Sequence, residues 1–270
     1  MVDTEATPAM SVVDNLIYDI GLHRGEDTDY YLRKKYRVIA IDANTDLCRQ
    51  CTEKFSTEIN SDRLIIINKA ISDSAGSKKF FINDQSIWGT LDPGWVKRNE
   101  ARGAMSRSVQ IDSTTIGEIL SHHGMPFYMK IDIEGADILC LRGLLGLTDK
   151  PRYISAESSA TSLRDTLEQL DVLDQLGYTK FKIIPQHKVQ KQQCSVLADY
   201  RFPKDSSGTF GEDTPGEWQS LDKVKKKYRA IHFEYRIIGP NNGLLRKFPR
   251  RIAKFLFPRG TGWYDTHATY

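Results

Sequence analysis

The sequence predicts an α/β fold, built as a doubly wound and mostly parallel sheet with helices on both faces. One observation is that short apolar segments alternate with helical patterns of about 10–15 residues. Another is that glycines or acidic residues directly follow several of the apolar segments, where open α/β sheets bind their ligands. The composition agrees, since 40% of the 270 residues are hydrophobic and 27% are charged.

The first half of the chain shows the clearest alternation. We predict strands at residues 15–20, 36–42 and 63–68, with helices at 26–35 and 45–59 between them. Asp27 and Thr28 stand in the first turn of the first helix, where such residues cap a helix. Two further extended segments, 76–83 and 106–111, interrupt the alternation.

The second half continues the pattern with a helix at 114–121, a strand at 127–133, a helix at 136–147, a strand at 153–157, a helix at 163–176 and a strand at 180–185. Residues 186–258 are mostly polar or basic and predict an insertion, whereas the last residues, GWYDTHATY, predict a final edge strand. We therefore expect one domain over 1–270, with a core of about 12–186 plus 261–270 and an insertion or lid at about 187–260.

Several protein classes are disfavoured by composition. No apolar run approaches the roughly 18–20 residues that span a bilayer, and the acidic N-terminus lacks the pattern of a signal peptide. We expect a cytoplasmic protein without a nucleic-acid partner. Cys48 and Cys51 form a C-x-x-C, which suits a redox pair or half a zinc site. Reduced structural thiols are favoured, because no second metal-binding pair completes the set.

The positive charge is concentrated near the C-terminus. The formal net charge is +3, but the segment 244–259 alone holds six basic residues and no acid, with apolar residues between them. Such a mixture is typical of a weak membrane-surface contact. The alternative is a lid whose apolar side covers the core.

A glycine-rich turn follows the first predicted strand in the sequence YDIGLHRGED. Gly21 and Gly25 let a ligand approach the backbone, and the next helix offers unpaired N–H groups. The turn lacks the G-x-G-x-x-G of dinucleotide-binding folds and the G-K-[ST] of a P-loop. Because Glu26 and Asp27 open the helix and would repel a pyrophosphate, a cationic ligand such as S-adenosylmethionine fits better.

Asp42 ends the second predicted strand, 21 residues after Gly21. Open α/β sheets often place an acid here to bind ribose hydroxyls. The alternatives for Asp42 are a helix N-cap and a solvated loop acid. Together with the glycine turn, Asp42 favours nucleoside binding.

The sequence resembles the FkbM-type methyltransferases, which depend on S-adenosylmethionine. The resemblance rests on IYDIGLHRGEDTDYYL, VIAIDAN, NKAISD and MKIDIEGAD, and more loosely on SGTFGEDTPGEW and GWYDTHA. It covers most of the chain and implies a Rossmann-like class I methyltransferase fold that transfers a methyl group, usually to a hydroxyl oxygen. Asp42 stands where the family usually has a glutamate, so the side chain is shorter and the carboxylate is kept.

The resemblance also implies residue roles. Asp19, Gly21 and Gly25 would line the methionine part of the cofactor. Asp42 would hold the ribose beside Ala43 and Asn44, and Ala70 and Ile71 would approach the adenine. Asp132 would face the methyl group, and Glu134 and Gly135 would complete its turn.

Asp132 and Glu134 alternate with isoleucines after an apolar strand, so both carboxylates are expected on one face. The two carboxylates could act as a general base, bind the cofactor's amine as a pair, or coordinate a cation such as Mg²⁺. The alternative is capping of the next helix. The sequence requires no metal, so S-adenosylmethionine is the predicted cofactor and a divalent cation is left open.

His267, in WYDTHA, is the candidate base or substrate contact, and His187 is the second choice. Trp88 and Phe210 lie in loops and either close over a ligand or anchor their loops to the core.

The predicted function is O-methylation of a hydroxyl on a sugar or specialised small molecule, so the partner is a small-molecule or glycan acceptor. The alternatives are a nicotinamide-nucleotide oxidoreductase, which the missing G-x-G-x-x-G disfavours, and a non-catalytic peripheral membrane module.

Overall fold

The computed structural model describes residues 11–83, 106–133, 135–159, 162–238, 259 and 262–270. The strands are β1 (Val12–Ile20), β2 (Arg37–Asp42), β3 (Leu64–Asn68), β4 (Ala70–Ile71), β5 (Gly76–Asn83), β6 (Ser106–Thr114), β7 (Met125–Ile131), β8 (Tyr153–Ser158), β9 (Lys180–Pro185) and β10 (Tyr264–Thr269). The helices are α1 (Glu26–Arg33), α2 (Thr45–Lys54), α3 (Ser56–Asn60), α4 (Ile116–His123), α5 (Asp137–Arg142), α6 (Leu163–Gln175) and α7 (Leu221–Ile238). Short 3-10 helices cover Gln186–Lys191 and Gly211–Asp213.

The main sheet has seven strands in the order β3-β2-β1-β7-β8-β10-β9. β1 pairs in parallel with both β2 and β7, and β2 pairs in parallel with β3. β10 runs antiparallel to β9. A mostly parallel sheet whose strands are connected through helices confirms the predicted fold class.

The position of the last strand differs from the prediction. β10 lies between β8 and β9, and β9 forms the edge of the sheet. All six residues of β10 are buried, as an interior strand requires. The predicted final edge strand was therefore wrong in position, because strand order depends on pairing between distant segments that the sequence pattern does not show.

The chain forms two compact units, Met1–Ile154 and Ser155–Tyr270. The expected division into a core and an insertion or lid at about 187–260 remains a prediction. Within the described residues, no helix has the length and apolar character needed to cross a membrane.

In the first unit, the last five residues of β1 and the middle four of β2 are buried, and all of these except Asp19 are apolar or aromatic. The Tyr18 hydroxyl donates a hydrogen bond to the carbonyl of Gly124 at 2.7 Å. A separate three-stranded sheet has the order β4-β6-β5 and packs around Ala70, Phe80 and Ile111. The two extended segments that interrupted the alternation therefore form this small sheet.

Two details of the first unit's helices bear on the predictions. The predicted helix at 45–59 is divided at Phe55, whose ring lies against Gly25: a Cβ atom added there would be 2.4 Å from the ring. The first helix begins after Gly25, which adopts a left-handed conformation and makes no side-chain cap. Asp27 and Thr28 lie in the first turn as expected, with buried side chains, and their predicted capping role remains a prediction.

The second unit contains α7, an 18-residue helix in the region predicted as a polar insertion. Its buried side follows a helical repeat, with Val224, Tyr228 and Ile231 spaced four and three residues apart. The Tyr228 hydroxyl joins a buried hydrogen-bond network with Ser158 at 2.8 Å and Thr266 at 2.7 Å. This network holds α7 to the sheet within the second unit.

Candidate active site

The carboxyl ends of β1, β2 and β7 meet at one edge of the sheet. The backbone N–H of Gly21 donates to the carbonyl of Ile41 at 2.9 Å, and that of Asp132 donates to the carbonyl of Ile20 at 2.8 Å. Gly21 has φ +95°, and a Cβ atom added there would lie 1.9 Å from the carbonyl oxygen of Asp132. Only glycine fits this position, and its presence lets the three strand ends come together.

The turn between β1 and α1 is held by His23 and Glu26. The Nδ1 atom of His23 lies 3.2 Å from the Glu26 carboxylate, and the backbone N–H of Arg24 donates to the same carboxylate at 3.1 Å. Burial works to raise the pKa of Glu26, but the hydrogen bonds from His23 and from backbone N–H groups together lower it below its ordinary value. The turn thus carries a negative charge at its centre.

Asp42 organises the end of β2. Its Oδ2 atom accepts from the backbone N–H of His23 at 2.8 Å, and its Oδ1 atom accepts from the backbone N–H of Asn44 at 2.8 Å. Burial raises the pKa of Asp42 above its ordinary value, and these two N–H groups oppose the shift. The side chain of Asn44 caps α2, so the capping alternative for Asp42 was wrong. Each carboxylate oxygen keeps a lone pair for a ligand hydroxyl.

Lys130, which the sequence analysis did not single out, lies beneath the glycine turn. Its side chain is on β7 and is only 4% exposed. The ammonium donates to the carbonyl of Gly21 at 2.7 Å and to Oδ1 of Asp19 at 3.1 Å. The carboxylates of Asp27 and Asp132 lie 3.6 Å and 3.9 Å away. One lysine therefore links the glycine turn, the start of α1 and the end of β7.

The three carboxylates around Lys130 outnumber its single positive charge. Burial alone would lower the pKa of Lys130, but Asp19, Asp132 and Asp27 together raise it well above its ordinary value. Burial raises the pKa of Asp19 to about 6, with the proximity of Asp27 adding to the shift and Lys130 opposing it. The excess of acid favours binding of a cationic ligand at this edge of the sheet.

Asp132 and Asp137 flank the turn that follows β7. The Asp132 side chain is 40% exposed, so it reaches the surface of the site. Asp137 begins α5 and is 9% exposed; burial, and then the charge of Asp132, raise its pKa to about 7. Oδ1 of Asp137 has no hydrogen-bond partner among the described residues. The N-cap of α5 is Ala136, and Glu134 lies outside the described residues.

Comparison with known proteins decides the family. The profile described as "Methyltransferase FkbM domain" matches residues 19–180, which is more than half of the chain. The chain belongs to the FkbM methyltransferase family. This confirms the resemblance seen in the sequence, together with methyltransferase chemistry, and S-adenosylmethionine as the cofactor stays the prediction that the resemblance implies. A search of the curated proteins finds no match.

Solved structures similar to this FkbM methyltransferase include other methyltransferases. A SAM-dependent methyltransferase from Archaeoglobus fulgidus has 13% identity and a TM-score of 0.39, covering 95% of this chain and 86% of that chain. Precorrin-6y C5,15-methyltransferase from Geobacter metallireducens has 10% identity and a TM-score of 0.38, and the match covers 96% of this chain and 80% of that chain. A SAM-dependent methyltransferase from Thiobacillus denitrificans, in complex with S-adenosyl-L-homocysteine, has 8% identity and a TM-score of 0.36, covering 96% and 86%. Likeness at this level adds nothing to the family assignment.

The residues matched by the FkbM profile include most of the predicted site. Gly21, Asp42 and Asp132 are brought together at the strand ends, as described above. Asp19 is 0% exposed, and its two oxygens are held by Lys130 and by the hydroxyl of Thr28 at 2.6 Å. Its carboxylate therefore supports the turn from below.

Ala43, Ala70 and Ile71 lie beside one another in the first unit. Ala70 and Ile71 form β4, which pairs with β6, and both side chains are buried. Ala43 packs against the same apolar cluster as Ala70. The structure thus brings Ala70 close to the Asp42–Asn44 turn, and contact of these residues with an adenine remains a prediction.

The candidate base His267 lies in the second unit, outside the matched residues. It is 2% exposed on β10, opposite Lys182 of β9, and burial together with Lys182 lowers its pKa to about 3. Its Nε2 atom has no hydrogen-bond partner within the described ranges. An imidazole with so low a pKa is a weak base. Its catalytic role, like that of the exposed His187, remains a prediction.

Lys182 fills the space beside His267. Its ammonium donates to the backbone carbonyl of Thr214 at 2.7 Å and lies 4.3 Å from the centre of the Trp218 ring. Phe210, in the same loop region, is buried, which agrees with an anchoring role, whereas Trp88 lies outside the described residues.

Cys48 and Cys51 lie on α2 as free, buried thiols. Burial raises the pKa of each to about 12, so both are protonated at neutral pH. Their Sγ atoms contact the backbone carbonyls of Asp42 and His23 at 3.4 Å and 3.5 Å. This agrees with a structural role beneath the site. In the part of the chain that the structure describes, no group of three or more His, Cys, Asp and Glu side chains is arranged to hold a metal.

Proposed function

We propose that this FkbM methyltransferase methylates a hydroxyl group on a sugar or another specialised small molecule. The observation that carries the proposal is the convergence of the glycine turn, Asp42 and Asp132 at one edge of the parallel sheet. This is the place where open α/β sheets bind nucleosides. Family membership supplies the reaction class, and the arrangement of the side chains supports the roles below.

Asp42 is the residue that would bind the ribose. Its carboxylate is already oriented by the N–H groups of His23 and Asn44, so little side-chain freedom is lost when hydroxyl groups donate to it. Gly21 and Gly25 would shape the turn that lines the methionine portion, because their missing side chains let the Asp132 backbone and the Phe55 ring pack against the turn.

The acids around Lys130 would favour the charged cofactor over its product. S-adenosylmethionine carries a sulfonium and supplies the methyl group, whereas the product is a neutral thioether at the same sulfur. Asp19 and Asp27 are buried next to Lys130, and their negative charge exceeds its positive charge. We assign them to positioning: they hold the lysine, which holds the Gly21 carbonyl.

Asp132 is the candidate base. A hydroxyl must lose its proton as its oxygen forms a bond to the methyl carbon and the carbon–sulfur bond breaks. Asp132 is exposed enough to accept that proton, and the Lys130 ammonium lies 3.9 Å from its carboxylate. The backbone of Asp132 is fixed against Gly21, which aligns the carboxylate with the turn. Glu134 and His267 remain the other candidates for this role.

The rival functions are less well supported. An oxidoreductase that binds a nicotinamide nucleotide disagrees with the family match and with the acids at the start of α1. A non-catalytic membrane module would have no need for the ordered carboxylates of Asp42 and Asp132.

The cofactor role of Asp42 is tested by calorimetry with S-adenosylmethionine. Asp42→Ala should weaken binding by about 1.5–3 kcal/mol, which is about 10- to 150-fold, because a charge-assisted hydrogen bond is lost. Asp46→Ala, which removes an exposed acid from α2 close by, is the matched control and should bind nearly as the wild type does. Unchanged affinity in Asp42→Ala would contradict the ribose assignment.

The acceptor is tested separately. Native mass spectrometry of the purified protein should show bound S-adenosylmethionine or its demethylated product. With cofactor carrying a ¹³C-labelled methyl group, hydroxylated acceptors should give methoxy carbon signals in NMR spectra. Transfer to an amine or a carbon atom instead would keep the methyltransferase assignment and overturn the O-methylation proposal.

A further inference from the structure

The solvent side of α7 carries a cationic face. Exposed residues recur along the helix after four, three, four and three positions, at Asp222, Lys226, Arg229, Phe233 and Arg236. This spacing places them in one stripe, with Lys223 and Lys227 beside it. We call Lys223, Lys226, Lys227, Arg229, Phe233 and Arg236 the cationic face of α7.

Among the described residues, the cations at the centre of this face have no acidic partner. Lys225, which lies between the stripe and the core, is bound to Asp171, and Arg259 is bound to the buried Glu234 at 2.7 Å. In contrast, within the described ranges no ion pair or hydrogen bond joins Lys226, Arg229 or Arg236 to another residue. Their charge is therefore directed to the solvent and attracts an anionic partner.

Phe233 distinguishes this face from an ordinary solvated helix surface. Its side chain is 62% exposed and stands between Arg229 and Arg236. Ile237, one turn further, is half-buried. An apolar side chain among cations is typical of helices that lie in a membrane interface, where the apolar group enters the acyl boundary and the cations meet lipid headgroups.

We propose that the cationic face of α7 binds the surface of a membrane that contains anionic lipids, with Phe233 inserted between the headgroups. The positive charge of the face favours an anionic surface as its partner. The exposed Phe233 ring favours a lipid surface over a nucleic acid, because a phosphate backbone offers no apolar phase in which the ring can be buried. The face lies outside the family-matched residues 19–180, so the proposal is independent of the methyl-transfer assignment.

This proposal adds α7 to the membrane contact that the sequence predicted at 244–259. Of that segment the structure describes Arg259, whose guanidinium is bound to Glu234 rather than turned to a partner. The remaining residues of the segment lie outside the described residues.

Co-sedimentation with lipid vesicles tests the proposal. Wild-type protein should bind vesicles of phosphatidylcholine with about 30 mol% phosphatidylserine, and should not bind phosphatidylcholine alone. Lys226→Gln/Arg229→Gln should weaken binding by about 30-fold, since each cation near an anionic surface contributes about fivefold. Phe233→Ser should weaken it by about 5- to 10-fold and should abolish the binding that remains in about 0.5 M salt.

Matched variants make the result decisive. Lys188→Gln/Lys204→Gln removes the same charge from exposed positions of the second unit outside α7, and it should bind vesicles as the wild type does. Unchanged circular dichroism and S-adenosylmethionine affinity would show that each variant is folded. The proposal is overturned by equal loss in the control, by equal binding to vesicles without phosphatidylserine, by no vesicle binding, or by binding to duplex DNA in preference to vesicles.

Discussion

At the scale of single residues, Lys130 shows how strongly this site depends on one buried charge. Its ammonium is the link between Asp19, Asp132 and the Gly21 carbonyl, and it is surrounded by more negative charge than it can neutralise. Such a buried cluster is costly to disturb, because removing one partner leaves the others uncompensated. The lysine therefore fixes both the glycine turn and the proposed base.

Replacing Lys130 should destabilise the fold in a pH-dependent way. Lys130→Met should lower the free energy of unfolding by about 3–5 kcal/mol at pH 8, because charged carboxylates are left without their cation. Asp19, whose pKa is already raised to about 6, holds its proton more tightly when folded than when unfolded. The contribution of Asp19 to folding stability therefore falls as pH rises from about 4 through 6, and the variant, which has lost the opposing cation, should show a steeper fall.

Urea unfolding at pH 5 and pH 8 measures this difference. Lys130→Arg, which keeps the charge, should retain part of the stability at pH 8. If Lys130→Met lost the same free energy at both pH values, the carboxylate cluster would not be the cause.

The sequence allowed part of the site to be predicted at this scale. Gly21, Asp42 and Asp132 were identified because glycines and acids after apolar strands are recognisable from sequence alone. Lys130 was missed, although a lysine inside the apolar segment FYMKIDI was a usable signal. Its meaning depends on Asp19, which lies 111 residues earlier, and sequence pattern does not reveal that pairing.

At the scale of elements, the β1–α1 turn explains which local predictions held. The helix predicted at 26–35 begins at Glu26 as expected, but its N-cap, Gly25, has no side chain and was not predicted as a cap. The Thr28 hydroxyl donates a hydrogen bond to the Asp19 carboxylate. α7 was missed because its lysine run concealed the regular spacing of Val224, Tyr228 and Ile231. Tertiary contacts, rather than propensity, decided both cases.

Gly21→Ala should disrupt this turn. The left-handed φ of +95° costs an alanine about 1–2 kcal/mol, and the added Cβ would also meet the Asp132 carbonyl at 1.9 Å. We expect a loss of more than about 2 kcal/mol in unfolding free energy and at least about a tenfold loss of S-adenosylmethionine affinity. Denaturant unfolding and calorimetry measure the two effects.

Gly146→Ala provides the control for backbone strain alone. Gly146 has φ +82°, and an added Cβ would have no atom within 4 Å. It should lose about 1–2 kcal/mol and keep its cofactor affinity. Equal loss of affinity in both variants would mean that close approach to Asp132 is not what the turn requires.

At the scale of the whole molecule, the alternation of strands and helices predicted the fold class but not the strand order. The position of β10 between β8 and β9 depends on pairing between distant segments, and its polar sequence gave no sign of an interior strand. The same limit applies to His267. Its distance along the chain from the glycine turn gives no information on whether it shares the cofactor site.

Hydrogen exchange with and without S-adenosylhomocysteine addresses that question directly. The proposed cofactor contacts lie in the first unit, most of them at the ends of β1, β2 and β7, with Ala70 and Ile71 on β4. At short labelling times, exchange reports local fluctuations rather than global unfolding. We therefore expect bound product to slow exchange at residues 21–26, 42–46 and 132–133, with no change in the loop residues 192–209 of the second unit. Asp42→Ala, measured at the same product concentration, should show less protection at all three segments. Protection in the second unit's loop would contradict the assignment of all cofactor contacts to the first unit.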